Sequence, residues 1–180
     1  VLRTAGKQDL YEDWNDYRYF NRTSFAVDNE DNIYLAHATR NKIEKYSPDG
    51  TLQMTIDRPL NYEISDKIEK VKRKVGPREI ELPQLNFVSK SLSVDEKHRI
   101  WVLSYDRQLT FEERPVTIHF ADEGGQLEAT DTLKTSESSQ TDAFAFHVFD
   151  ETGEFLVKIP LTHFADKVKI FGDKLYILEK

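Results

Sequence analysis

The stretch from Ser24 to Ile56, SFAVDNEDNIYLAHATRNKIEKYSPDGTLQMTI, constrains the fold of this chain more than any other feature. It divides into four short runs: Ser24 to Val27, ending at Asp28; Ile33-Tyr34-Leu35; Ile43 to Tyr46; and Leu52 to Ile56. The connections are Asn29 to Asn32, Ala38 to Asn41, and Pro48-Asp49-Gly50. Each reverses a backbone for its own reason: Pro presets φ, Gly accepts positive φ, and Asx side chains bond their own turn. Four strands joined this tightly form an antiparallel meander, too small to be stable alone. The rest of the chain must supply partners for it.

The plan recurs. Ser91-Leu92-Ser93-Val94-Asp95, a polar turn, and Ile100-Trp101-Val102 repeat Ser24 to Asp28, its turn, and Ile33-Tyr34-Leu35. Phe146 to Phe155, with Asp150-Glu151-Thr152-Gly153 at its centre, follows the plan of Ile43 to Leu52. A third copy closes the chain, with Val168-Lys169-Ile170, a Gly172-Asp173 turn and Leu175-Tyr176-Ile177. The copies start at Ser24, Ser91 and Lys167, so insertions stretch the period unevenly. Self-similarity of this kind marks a repeat architecture, in which each unit buries its faces against its neighbours.

AVDNEDNIYLAHATRNKIEKYSPDG resembles an NHL repeat: an apolar-Asp strand end, a turn, an Ile-Tyr-Val-like strand, then Ile-x-x-Phe/Tyr before an Asp-Gly turn. The resemblance covers 24–57, continues over 91–104 with 144–158, and is partial over 167–178. It implies an all-β fold built from the antiparallel four-stranded blades of a six-bladed β-propeller, and the long spacings are similar to those of bacterial propeller proteins. Two departures stand out. The Gly usual in the first turn is replaced by Asp31 in one copy and His98 in the next, and the third copy stops before its last two strands. Such propellers are mostly binding and scaffold modules, with a minority of hydrolases and lyases.

The resulting plan is a lead-in or outer strand over 1–23, a blade over 24–57, an inter-blade insertion over 58–90, a blade over 91–159 interrupted by 104–142, and the start of a third blade over 160–180. A propeller takes about four to eight blades, so three sectors make a partial propeller. The expectation is either a piece of a longer protein, favoured by a start at Val1 rather than Met, or a half-ring completed by a second chain. The remaining blades, in the same or a second chain, are then the first partner required.

A net charge of −7 argues against nucleic acid as the main partner, because phosphate recognition needs clustered Lys and Arg. No apolar run approaches the roughly 18 residues of a membrane span. The absence of cysteine excludes disulfides, thiolate catalysis and Cys-ligated metal sites, and suits an oxidising, periplasmic or secreted setting. Asn21-Arg22-Thr23 is an N-glycosylation sequon, a three-residue pattern of low specificity.

Within 58–90, Ile64, Ile68, Val71 and Val75 lie at i, i+4, i+7 and i+11, which predicts one short helix over a basic face with Lys70, Arg73 and Lys74, stopped by Gly76-Pro77. That face is a candidate contact for an acidic partner. Glu79 to Asn86 reads as extended chain. Thr110-Phe111 and Val116-x-Ile118-x-Phe120 predict one hairpin strand, whereas Asp122 to Asp142 is too polar to offset its ordering entropy and is expected to stay unstructured. Aromatic residues Tyr11, Trp14, Tyr17, Tyr19 and Phe20 are expected to cover the first blade rather than form a ligand platform.

Further candidate binding residues are His37, the one residue of the first blade placed to face a central channel, Trp101 in the second blade, and Arg107 at the start of the long insertion. Alternation puts His147 on the polar face or against a neighbouring blade. No cofactor is required. The oxygens of Asp28 to Asn32 offer Ca²⁺ one alternative, although they lack EF-hand spacing and fit a local backbone cap better. The five histidines show no zinc spacing, and there is no nucleophile elbow, phosphate loop or dinucleotide fingerprint. Three readings follow: a non-catalytic propeller module recognising a protein, peptide or glycan through its insertions; part of a metal-dependent propeller hydrolase or lyase, lactonase-like; and a structural subunit assembled through exposed blade edges.

Overall fold

A computed structural model describes residues 6, 8, 10, 12, 17, 19–65, 69–75, 78–84, 86–110, 113, 116–121, 127–133 and 140–178. The architecture is all-β and antiparallel. The first sheet is β1 (Thr23–Val27), β2 (Ile33–His37), β3 (Ile43–Tyr46) and β4 (Leu52–Ile56), in that spatial order. A two-stranded ribbon follows, β5 (Glu69–Val75) with β6 (Arg78–Gln84). The second four-stranded sheet joins β7 (Ser89–Val94) and β8 (Ile100–Tyr105) to strands arriving after a second ribbon, β9 (Val116–Ala121) with β10 (Leu127–Leu133). Those strands are β11 (Phe144–Phe149) and β12 (Phe155–Pro160), giving the order β12-β11-β8-β7. The last hairpin is β13 (Lys167–Phe171) with β14 (Lys174–Leu178). Among the described residues no helix is long and apolar enough to cross a membrane.

The ordering of the sheets decides which faces are buried. The leading strand of each unit lies against the next, β1 on β7 and β7 on β13. The second sheet is therefore covered on both sides, and all six residues of β11 are buried. One face meets the first sheet in a core of Tyr34, Ala36, Ile43 and Ile56 with Leu92, Ile100, Val102 and Phe149. The other packs Leu103, Tyr105, Phe144, Phe146 and Val148 against Ala165 and Val168. Truncating a fully buried Ile such as Ile100 in so close a contact costs about 2–5 kcal/mol. Ser91 and Ser93 tie β7 to β13 directly, their Oγ atoms accepting the Val168 and Ile170 N–H groups at 3.2 and 3.0 Å. Gly153, at φ +87°, turns β11 into β12 so close to β4 that a Cβ would stand 2.8 Å from Met54 Sδ and 2.9 Å from Ile56 Cγ1.

Two sequence expectations are corrected. The short helix is absent: residues 69–75 form β5, paired residue by residue with β6. The register places Lys72 opposite Glu81 and Lys74 opposite Glu79, so the sequence sets opposite charges at facing positions of the ribbon. The helical spacing was fortuitous, because Ile64 lies before the strand and Val71, Arg73 and Val75 alternate along it. Residues 127–133, expected to lack structure, form β10. Thr130 and Thr132, which favour strands, oppose His119 and Thr117. The expected helix stop at Gly76-Pro77, the segments 122–126 and 134–139, and Tyr11 and Trp14 of the lead-in lie outside the described residues. Of the remaining lead-in aromatics, Phe20 is buried.

Candidate binding site at the inter-sheet seam

The two copies of the leading hairpin close by the same device. Asp28 Oδ1 accepts the Glu30 and Asn32 N–H groups, each at 2.9 Å, while Oδ2 accepts the Tyr34 hydroxyl and the Asn32 amide, each at 3.0 Å. Asp95 repeats it: Oδ1 accepts Lys97 and Arg99 N–H at 2.9 Å, and Oδ2 accepts Arg99 Nε at 2.7 Å and Trp101 Nε1 at 3.0 Å. Burial acts to raise both carboxyl pKa values, but these donors outweigh it and hold both below the ordinary aspartate value. Tyr34 shifts upward, through burial and the adjacent Asp28 charge. The residue one step before the second strand's approach, Asp31 or His98, takes positive φ, at 62° and 56°. Asp28, Glu30 and His98 also bring ligand atoms within 4.8 Å of one another. A cation there would compete with the four donors that Asp28 already accepts, so the geometry is that of a turn clasp.

The sequence-predicted site residues do not converge. His37 is buried at the end of β2 with Nε2 3.0 Å from Glu44 Oε2, and its Nδ1 has no partner. Lys42 also pairs with Glu44. Burial opposes the Glu44 charge, but the hydrogen bonds from Lys42 and His37 prevail and lower its pKa. Trp101 is spent on Asp95, under the Arg99 guanidinium at 5.6 Å and edge-on to Phe146. Arg107 is a brace rather than a free hand. Its Nη1 and Nη2 grip Glu113 at 2.7 Å and its Nε reaches Asp142 at 2.8 Å, clamping both ends of the long insertion. The Arg107 bonds take the Glu113 carboxyl down to about 2. Lys70, Arg73 and Lys74 all lie on β5.

What the sequence did not announce is a polar seam between the first and second sheets. Arg58, 3 % exposed, follows β4 and enters that seam. Its Nη1 donates to Ser104 Oγ at 2.6 Å, its Nη2 to Ser89 Oγ at 2.7 Å, and its Nε to Asn41 Oδ1 at 3.3 Å. Asn41 holds the Arg58 backbone as well, accepting from its N–H at 3.1 Å and donating to its carbonyl at 2.6 Å. Burial without a bonded carboxylate lowers the Arg58 pKa to about 10. His147 lies on the β11 face opposite Val102, whose side chain belongs to the same seam, and its Nδ1 is buried without a partner. Burial first, then the Arg58 charge, bring its pKa down to about 4.

At one end the seam opens into a cleft of about 150 Å³ between the starts of β1 and β7, with Arg22, Ser24, Phe87, Ser89, Lys90 and Tyr105 in its wall. The only advance signal was serine at alternate positions in Ser89-Lys90-Ser91-Leu92-Ser93, a pattern suited to close approach of neighbouring strands. Arg58 and Arg22 carried none, each being an isolated cation in a connecting segment.

The chain matches no protein-family model. A search of curated proteins likewise returns no match.

Proposed function

We propose that this chain is a run of β-propeller blades serving as a non-catalytic binding or scaffold module, which recognises a protein, peptide or glycan through the ribbons inserted at 58–90 and 104–142. The observation that carries this reading is the succession of leading strands, β1 on β7 and β7 on β13. Meanders that meet through their first strands, with later strands farther out, have the arrangement of blades about an axis. The NHL-like sequence plan adds to it. The ends of the stack support it too: Phe25 on the first sheet and Phe171 on the last hairpin are exposed by 70 % and 72 %, a state that further blades, from the same or a second chain, would relieve. Both ribbons leave from connections between repeat strands, where recognition elements commonly sit. A periplasmic or secreted setting fits the cysteine-free composition.

The test pairs an experimental structure of the assembled protein with array binding. The expected result is β1, β7 and β13 innermost about a common axis, and binding to peptide or glycan arrays that disappears when either ribbon is replaced by a short Gly-Ser turn. A sandwich with β4 or β12 innermost would overturn the propeller reading. Turnover of lactone or ester substrates with Ca²⁺ or Zn²⁺ added would overturn the non-catalytic one.

A further inference from the structure

We propose that the cleft between the starts of β1 and β7 binds a small organic anion, with a carboxylate at one end and an apolar body. The inference rests on a donor inventory and holds whether or not the sheets belong to a closed ring. Ser24 Oγ is buried and makes no hydrogen bond among the described residues, a state that a bound acceptor would relieve. Ser89 Oγ already accepts from Arg58 Nη2, so its own O–H must find an acceptor elsewhere. The Arg22 guanidinium lies 6.0 Å from the centre of the Phe87 ring and has no carboxylate partner among the described residues. Lys90 forms the opposite wall, 2.7 Å from Asp166 and 4.8 Å from the Phe144 ring centre.

Every one of these groups donates. Among the described residues no Asp or Glu lines the cleft, in a chain of net charge −7. The buried Arg58 behind Ser89 adds to the local inversion of sign. Asp166 already engages Lys90, which leaves Arg22 and the two serine hydroxyls as the donors that select a ligand rich in acceptors, and guanidinium matches carboxylate in a bidentate fork. An apolar part of the wall is formed by the rings of Phe87 and Tyr105, stacked at 5.7 Å, with Ala38. With a water occupying about 30 Å³ of liquid, the cleft holds a few-carbon acid but not a nucleotide.

The experiment titrates butyrate, benzoate and inorganic phosphate into ¹⁵N-labelled protein, with ionic strength held by chloride, while the amides of Ser24, Ala38, Ser89 and Tyr105 are followed. Saturable shifts at these amides are expected with butyrate or benzoate. Affinity should weaken at least tenfold in Arg22→Gln, weaken in Ser24→Ala and Lys90→Gln, and stay unchanged in Lys97→Gln at the far end of β7. Saturation by phosphate but by neither carboxylate would overturn the carboxylate assignment. Shifts that do not saturate, or that survive Arg22→Gln unchanged in a variant with an otherwise native spectrum, would overturn the site.

Discussion

Asp28 of the first sheet and His98 of the second face each other across the seam, with Oδ2 and Nδ1 3.4 Å apart. Each belongs to the same turn of its own repeat, so the contact joins equivalent places in successive units. His98 stands at the positive-φ position that glycine would fill most easily, and its ring reaches back to the carboxylate closing the preceding unit. The turn that sets each hairpin thereby also helps to set the spacing of the sheets.

Removing that carboxylate should cost far more than removing a surface charge. Asp28→Ala leaves two backbone N–H groups, the Tyr34 hydroxyl and the Asn32 amide without their acceptor in a buried corner, a loss of about 2–4 kcal/mol. Asp95→Ala should behave alike. Urea unfolding followed by tryptophan fluorescence checks both, and a loss below about 1 kcal/mol would show that the clasp is dispensable. Because both carboxyls sit below their ordinary pKa in the fold, their stabilising contribution is complete above the unfolded value near 4. It is lost as pH falls through the folded values.

The two positive-φ residues should respond differently to glycine. Asp31→Gly removes a left-handed strain of about 1 kcal/mol at an exposed residue, partly offset by the greater freedom of the unfolded chain, for a net gain of about 0.5 kcal/mol. His98→Gly gains the same relief but gives up the approach to Asp28, so its net change should be lower by roughly 0.5–1 kcal/mol. Equal gains in thermal melting would mean that the Asp28–His98 contact contributes nothing.

Gly153 is held by space as well as by conformation. Gly153→Ala would set a methyl against Met54 and Ile56 at a residue with φ +87°, and a loss of about 1–3 kcal/mol is expected. Chemical denaturation of the variant beside the parent chain checks this, and an unchanged midpoint would show that Met54 and Ile56 give way without cost.

The meander over 24–57 was legible because its turns are chemical statements: Asp28, Asp31, Asp49 and Gly50 specify where the chain reverses, and the strands between them follow. The same turns in the second copy located β7, β8, β11 and β12 despite the insertion that separates them. The ribbon at 69–84 was not legible, because Val71 and Val75 satisfy a helical period and a strand period equally. The facing of Lys72 with Glu81 and of Lys74 with Glu79 emerges only once the register is known. The seam was hidden for another reason. Arg58 and His147 lie 89 positions apart in the sequence, and nothing local says that two polar groups will share one buried space.

Arg58 should prove costly to truncate but not to replace by an apolar group of similar length. Arg58→Ala leaves a void and two seam hydroxyls, Ser89 and Ser104, without their donor, for a loss of about 3 kcal/mol. Arg58→Met fills the space and removes a buried charge, so its loss should stay near 1 kcal/mol. Equal losses in the two variants, measured by urea midpoint, would show that the hydrogen bonds rather than the filled volume hold the seam.

His147 should make the fold sensitive to mild acid. Its imidazole is neutral in the folded chain down to about 4, whereas in the unfolded chain it takes a proton near its ordinary 6.5. The unfolded state therefore binds the proton first, and its contribution to stability is whole above pH 6.5. Stability then falls by about 1.4 kcal/mol per pH unit as pH drops from 6.5 towards 4, roughly 3 kcal/mol in all. The groups acting on the ring are Arg58 and Lys158, which oppose its protonation, and Asp106, which favours it. His147→Phe, packed against the Phe155 ring that His147 meets edge-on at 5.8 Å, should flatten this slope while leaving the steeper loss below pH 4 that belongs to Asp28, Asp95 and Glu44. Arg58→Met should raise the imidazole pKa in a ¹H–¹⁵N titration, because it removes the stronger of the two opposing charges. An unchanged pH profile in His147→Phe would place the acid sensitivity elsewhere in the chain.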